Sequence, residues 1–167
     1  MEQRAVDLLN DVLPAFWNRK GIRKILPQQG HALLPREAWV EMKNDKLVAY
    51  AKVIASRWYC KGHFGIYPGH WLAEACSQTI AFLYADLAGR QVLQRSMSIK
   101  YRFKIKKGKR VICSAKVTNK KEIGQNLLIE FAGEARVGSS LTLAATYKAS
   151  VLILAKEEIA IETGNPN

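Results

Sequence analysis

Apolar and polar positions alternate in two different registers along this chain, and the switches between registers predict its elements. Val6, Leu9, Leu13 and Phe16 recur at three- and four-residue intervals, so residues 5–16 read as an amphipathic helix that Pro14 ends or kinks. A second short helical piece, residues 21–26, stops at Pro27, because the residue before a proline is pushed out of helical backbone. Period-two alternation follows. Residues 33–42 and 47–56 flank the polar tetrapeptide Lys43-Asn44-Asp45-Lys46, which suits a hairpin turn. After an irregular stretch, Pro68-Gly69 opens the one long helical pattern, with Leu72, Cys76, Ile80, Leu83 and Leu87 at helical spacing and Gly89 as its stop. Ala73, Ala75, Ser77, Ala81 and Ala85 surround it with small side chains, so neighbours can enclose it closely and it reads as buried. Four strand-like runs follow, 96–105, 111–118, 127–137 and 141–154, separated by turn segments at 106–109, 121–125 and 138–140. This order predicts an α+β domain in which an antiparallel sheet wraps one central helix.

The 167 residues, 49% of them hydrophobic, suffice for one core but not two. The expected organisation is a helical extension over residues 1–20, a single domain over 21–155 and a loose tail over 156–167. No apolar run approaches the ~20 residues that cross a bilayer, so no membrane span is expected. The first residues carry acids and no small-residue cleavage site, which argues against a signal peptide and for a cytoplasmic protein. Cys60, Cys76 and Cys113 are too few and too irregularly spaced for a disulfide framework, and Cys60-Lys61-Gly62-His63 lacks a second ligand pair for zinc. With no Gly-rich phosphate loop, Gly-x-Ser-x-Gly elbow, Cys-x-x-Cys or His-x-x-x-His, neither a metal nor a cofactor is expected.

Charge changes the picture through its placement. The chain has 26 Lys and Arg against 14 Asp and Glu, and twelve of those bases lie between Arg90 and Lys121 without one acid among them. Such a block meets something acidic or stays solvated. A nucleic acid fits poorly, because Tyr101, Phe103 and Ile105 alternate at strand period and read as one core-facing row, not a stacking platform.

Chemistry concentrates in residues 62–78. His63 sits in a glycine-flanked loop, and Glu74 lies between Ala73 and Ala75 on the apolar helix, with no other acid until Asp86. Burying a carboxylate costs several kcal/mol unless it is paired or protonated, so Glu74 needs a reason to be there. On the residues alone, Glu74 could equally lie on an exposed stripe or accept a bond from a loop amide, and His63 could be a structural loop histidine. Together they could form an acid/base pair. His70 as a second catalytic group and Cys60 as a nucleophile beside His63 are weaker candidates.

Gly62-His63-Phe64, Pro68-Gly69 and Glu74-Ala75-Cys76-Ser77-Gln78, in that order, resemble the motifs of the FabA/FabZ-type 3-hydroxyacyl-[acyl carrier protein] dehydratases. Ile22-Arg23-Lys24-Ile25-Leu26-Pro27 is similar to that family's opening segment, and the resemblance spans roughly residues 21–154. Two departures stand out. The loop between the histidine and the helix is about three residues shorter, and the family's Pro-x-x-Pro-Gly-Asp turn is replaced by Lys104-Ile105-Lys106-Lys107-Gly108-Lys109.

The resemblance implies a hot-dog fold and the dehydration of a 3-hydroxyacyl thioester to a trans-2-enoyl thioester. His63 would take the α-proton and Glu74 would return a proton to the departing hydroxyl. The Gly69 amide would polarise the thioester carbonyl, Gln78 would orient the acid, and Phe64 would border the substrate. The implied partner is acyl carrier protein, which is acidic and would dock on Lys104, Lys106, Lys107, Lys109 and Arg110. The implied assembly is a homodimer, or a trimer of such dimers. The rival expectations are a hot-dog acyl thioesterase and a non-catalytic acyl-binding module.

Overall fold

A computed structural model describes residues 15–28, 30–87 and 91–155. Seven strands form one antiparallel sheet: β1 (Ala15–Asn18), β2 (Glu37–Lys43), β3 (Lys46–Ile54), β4 (Val92–Tyr101), β5 (Arg110–Ile123), β6 (Asn126–Val137) and β7 (Thr142–Ile153). Their spatial order is β1-β2-β3-β5-β6-β7-β4, so β4 crosses over to the far edge after the central helix. Among the described residues two α-helices accompany them, α1 (Arg19–Ile25) and α2 (Gly69–Ala81).

The hairpin between β2 and β3 turns on Asn44 and Asp45, both at positive φ (49° and 57°), the two-residue turn whose twist matches its strands. Helix α2 packs on the sheet chiefly against β5, β3 and β6. Leu72, Ala75, Cys76 and Ile80 are its buried apolar positions, and they meet alternate strand residues such as Ala51, Val53, Cys113, Ile129 and Phe131 in one core. A fully buried Phe or Ile contributes roughly 1.5–3 kcal/mol relative to exposure, so this face of α2 anchors the domain.

Tyr147 is laid across Gly133, its cross-strand partner, and donates from its hydroxyl to Ser114 O at 2.8 Å. A Cβ on Gly133 would stand 2.0 Å from Ser114 O and 2.4 Å from the Tyr147 ring. Glycine is therefore the residue that lets β6 pass beneath that ring.

Several sequence expectations are corrected. Ala15 and Phe16 belong to edge strand β1 and not to a helix, because the backbone there pairs with β2 through Ala15–Val40 and Phe16–Trp39; residues 5–14 of the expected helix lie outside the described residues. Trp17 packs on Phe82 with ring centroids 5.4 Å apart, and the Asn18 side chain then caps α1 by accepting from Lys20 N and Gly21 N. Helix α2 ends at Ala81 and continues as a 3-10 turn through Leu87, kinked at Tyr84; the expected stop at Gly89 lies outside the described residues. Strand β4 starts earlier and ends at Tyr101, leaving Tyr101 (47% exposed) and Phe103 (40%) outside the core while Ile105 (4%) enters it. The expected shared row fails because the strand stops before Phe103. No described helix is long and apolar enough to cross a membrane.

Candidate active site

Residues 55–67 cross from β3 to α2 in a chain of turns: Cys60 N donates to Ser56 O, His63 N to Cys60 O (3.1 Å) and Ile66 N to His63 O (2.9 Å). His63 is exposed on this loop, and its ring centroid lies 6.1 Å from that of His70 in the first turn of α2. Phe64 next to it adopts φ +52° and is 100% exposed in the single chain, so it borders no substrate space formed by one chain alone.

The following helix opens without a side-chain cap, since its N-cap residue is Pro68. The free N–H groups of its first turn and the positive end of its dipole therefore face the loop that carries His63. Tyr101 approaches this end closely, donating from its hydroxyl to Gly69 O at 2.8 Å. A Cβ on Gly69 would stand 2.9 Å from the Tyr101 hydroxyl and ring, so a side chain at 69 would displace the tyrosine.

Glu74 is half-buried on the next turn, and two amides hold one of its oxygens. Gln78 Nε2 donates to Glu74 Oε1 at 2.7 Å, and Gln28 Nε2 approaches the same atom at 3.4 Å. Gln78, 2% exposed, also donates to Ala32 O (2.6 Å) and accepts from Leu34 N (3.0 Å), which ties the segment after α1 onto the helix. Glu74 Oε2 takes no hydrogen bond from a described residue. Gln28, Glu74 and Gln78 line a cleft of about 540 Å³ that also includes Ser77, Tyr84 and Gln94, a volume in the range of small-molecule sites.

The structure brings Gln78 into hydrogen-bond contact with Glu74 and places Gly69 in the uncapped first turn of α2. It does not hydrogen-bond His63 to Glu74 within one chain. His70, Glu74 and Gln78 share one helical stripe at four-residue spacing, so His63, beside His70, stands about one turn upstream of the acid. Burial pushes the Cys60 thiol up, which argues against its use as a nucleophile. Cys76 and Cys113 meet inside the core with sulfurs 3.8 Å apart, a proximity their spacing did not announce. Among the described residues no three His, Cys, Asp or Glu side chains gather as a metal site.

Two features were missed by sequence reasoning. One is an aromatic cluster around the start of α2: His31 stacks on Trp58 at 4.2 Å and 6°, and Tyr59 and Trp71 pack at 4.9 Å. All three histidines of the chain border it. The run Arg57-Trp58-Tyr59 was its signal, read as irregular because it has no period. The other is the position of the basic turn. Tyr67 N donates to Ile105 O and Lys107 N to Gly65 O, both at 2.8 Å, so the turn after β4 is clamped along the His63 loop. Lys104, Lys106, Lys107, Lys109 and Arg110 are exposed there, and none forms an ion pair with a described residue. A shallower groove of about 840 Å³, rimmed by Lys43, Lys46, Lys100, Lys116 and Lys148, includes Tyr50, Ser114 and Glu134 but none of the candidate catalytic residues.

No known family profile and no curated protein matches the chain in sequence. Its architecture does match solved structures. The dehydratase heterocomplex ApeI:P from Xenorhabdus doucetiae superposes with a TM-score of 0.64 at 16% identity, covering 92% of this chain and 99% of that one. The acyl-CoA hydrolase from Staphylococcus aureus, solved with butyryl coenzyme A, gives 0.56 at 21% identity over 66% of this chain; the match spans only 65% of that protein's length. A thioesterase superfamily member from Thermus thermophilus gives 0.58 at 11% identity, covering 70% of this chain and 88% of its own. These likenesses establish the hot-dog fold, among neighbours that are mostly thioesterases and include a dehydratase.

Proposed function

We propose that this hot-dog protein acts on acyl thioesters and that its reaction is the dehydration of 3-hydroxyacyl thioesters to trans-2-enoyl thioesters. The observation that carries the reading is the state of Glu74. One of its oxygens is held by the amides of Gln78 and Gln28 while the other takes no bond from a described residue, and the carboxylate sits at the end of its cleft nearest the uncapped start of α2, about one turn upstream. In the proposed reaction the His63 imidazole takes the proton from C2 as the Gly69 N–H stabilises charge on the thioester oxygen. Glu74 Oε2 delivers a proton to the hydroxyl on C3, the C3–O bond breaks, and water leaves.

The reading calls for His63 to reach a carboxylate it does not touch in one chain, and two copies supply the means. Strand β4 pairs with β7 on one side and with no described strand on the other, leaving a ten-residue edge. An edge of this length is a template for pairing. Antiparallel addition of a second copy along it would bring the His63 loop of one protomer to Glu74 of its partner, consistent with a homodimer and with the full exposure of Phe64 in the single chain. The basic turn beside that loop suits an acidic acyl carrier protein.

A second reading has its own support, because most of the solved neighbours are thioesterases. There, Glu74 would activate water against the thioester carbonyl at the same open helix end, releasing a free acid and a thiol. Mass analysis decides between them. Incubation with 3-hydroxyacyl thioesters of varied chain length should yield a product lighter by one water; free acid instead establishes hydrolysis.

A further inference from the structure

Outside the Glu74 cleft, a second depression of about 480 Å³ opens on the loop that carries His63, lined by Arg57, Trp58, Cys60, Lys61, Gly65 and Lys107. Its charge is one-sided. Three cations from two separate segments converge on it, no acid lines it, and none of the three pairs with an acid among the described residues. Holding like charges together costs free energy that a bound anion would remove.

The convergence is built by the backbone. Lys107 N donates to Gly65 O at 2.8 Å and Gly108 N to Ala55 O at 2.6 Å, which lays the basic turn against the loop. The Lys107 stem passes 3.8 Å from where a Cβ on Gly65 would stand. Its ammonium counters part of the upward push that burial exerts on the thiol of Cys60, which lines the same depression. Trp58, 52% exposed, forms one wall, with His31 stacked at 4.2 Å to hold its ring.

We propose that Arg57, Lys61 and Lys107 form a clamp for the phosphate of a phosphopantetheine arm, so that the thioester ligand is held at both ends. The depression has the volume of a small-ligand site. A guanidinium and two ammonium groups suit a phosphate, which accepts charge-assisted hydrogen bonds from both. Lys61 and Gly65 stand two residues to either side of His63, a reach of at most ~7 Å along the chain, so one ligand can touch both places. The aliphatic stems and the Trp58 wall offer apolar contact to the arm between them. This inference rests on the thioester reading above but holds for dehydration and hydrolysis alike.

Calorimetric titration with 4′-phosphopantetheine, pantetheine and coenzyme A tests it. The wild-type protein should bind 4′-phosphopantetheine about tenfold more tightly than pantetheine, with the difference shrinking as salt rises. In Arg57→Ala/Lys61→Ala, both exposed positions, the affinity for 4′-phosphopantetheine should fall about tenfold, to the level of pantetheine. Arg57→Lys/Lys61→Arg should restore the preference. Coenzyme A bound more tightly than 4′-phosphopantetheine supports the clamp with a nucleotide-linked source of the phosphate, and equal binding supports it with a carrier-linked source. Equal wild-type affinity for 4′-phosphopantetheine and pantetheine, or a preference that survives the double substitution, overturns the clamp alone. Binding of none of the three overturns the clamp and the thioester reading together.

Discussion

Gln78 and Glu74, one helical turn apart on α2, share a 2.7 Å hydrogen bond in which the amide nitrogen of Gln78 also donates to Ala32 O while its oxygen accepts from Leu34 N. The carboxylate is thereby positioned by the same side chain that pins the segment after α1. Replacing Gln78 with Ala strands the buried Leu34 amide and frees the Ala32 carbonyl, and should cost about 1–3 kcal/mol in denaturant unfolding while lowering kcat more than it raises KM. Stability unchanged by Gln78→Ala would show that the segment after α1 is held by other contacts.

His63→Ala and Glu74→Gln should each lower turnover ~10²-fold or more with circular dichroism and unfolding midpoint close to wild type, as expected for positioned acid/base groups that bear little of the packing. Near-normal turnover in either folded variant removes that residue from the mechanism.

Mixing these two inactive variants under subunit exchange should restore activity if each site draws His63 from one protomer and Glu74 from the other. Random exchange makes about half the dimers mixed, each with one of two sites intact, so recovery should approach about a quarter of wild type. Mixed dimers demonstrated by mass spectrometry yet inactive would rule out a shared site.

Lys106 and Lys109 are exposed on the turn clamped beside the His63 loop. Reversing both to Glu should slow use of a carrier-bound substrate about tenfold more than use of a short carrier-free thioester, with an effect that fades as salt rises, because exposed charges act through screened, long-range encounter. Equal loss on both substrates would mean that the turn supports the loop instead of the carrier.

High pH should unfold the domain through its buried tyrosines. Burial pushes Tyr84 up to about 12 and moves Tyr67 and Tyr147 upward as well, so these hydroxyls stay protonated in the folded chain after the unfolded chain has released them. The unfolded state then binds fewer protons, and stability falls as pH rises from ~10 towards 12. Denaturant midpoints measured across that range should decline, and Tyr84→Phe should flatten part of the decline; a flat wild-type profile would contradict the burial argument.

What the linear chain determined by itself is whatever depends on near neighbours. The period-two runs located β2, β3, β6 and β7, and the three- and four-residue spacing of Leu72, Cys76 and Ile80 marked the buried face of α2. The motif from His63 to Gln78 named the candidate site, and the Glu74–Gln78 contact follows from helical geometry over one turn. Element ends were less legible. Phe16 fits a helical stripe as well as it fits an edge strand, and pairing with Trp39 decided the matter. Tyr101 and Phe103 continue an apolar alternation, yet β4 stops between them and both stay exposed. Gly133 looked like any glycine in a strand until Tyr147 was found lying across it. Only the tertiary structure laid the basic turn along the His63 loop, gathered Trp58 with His31, and brought Cys76 to Cys113. Those contacts join residues dozens of positions apart, and loop-closure entropy rises so slowly with separation that many such pairings compete on nearly equal terms. The packed core selects one of them, because side chains at near-crystalline density leave room for few alternatives.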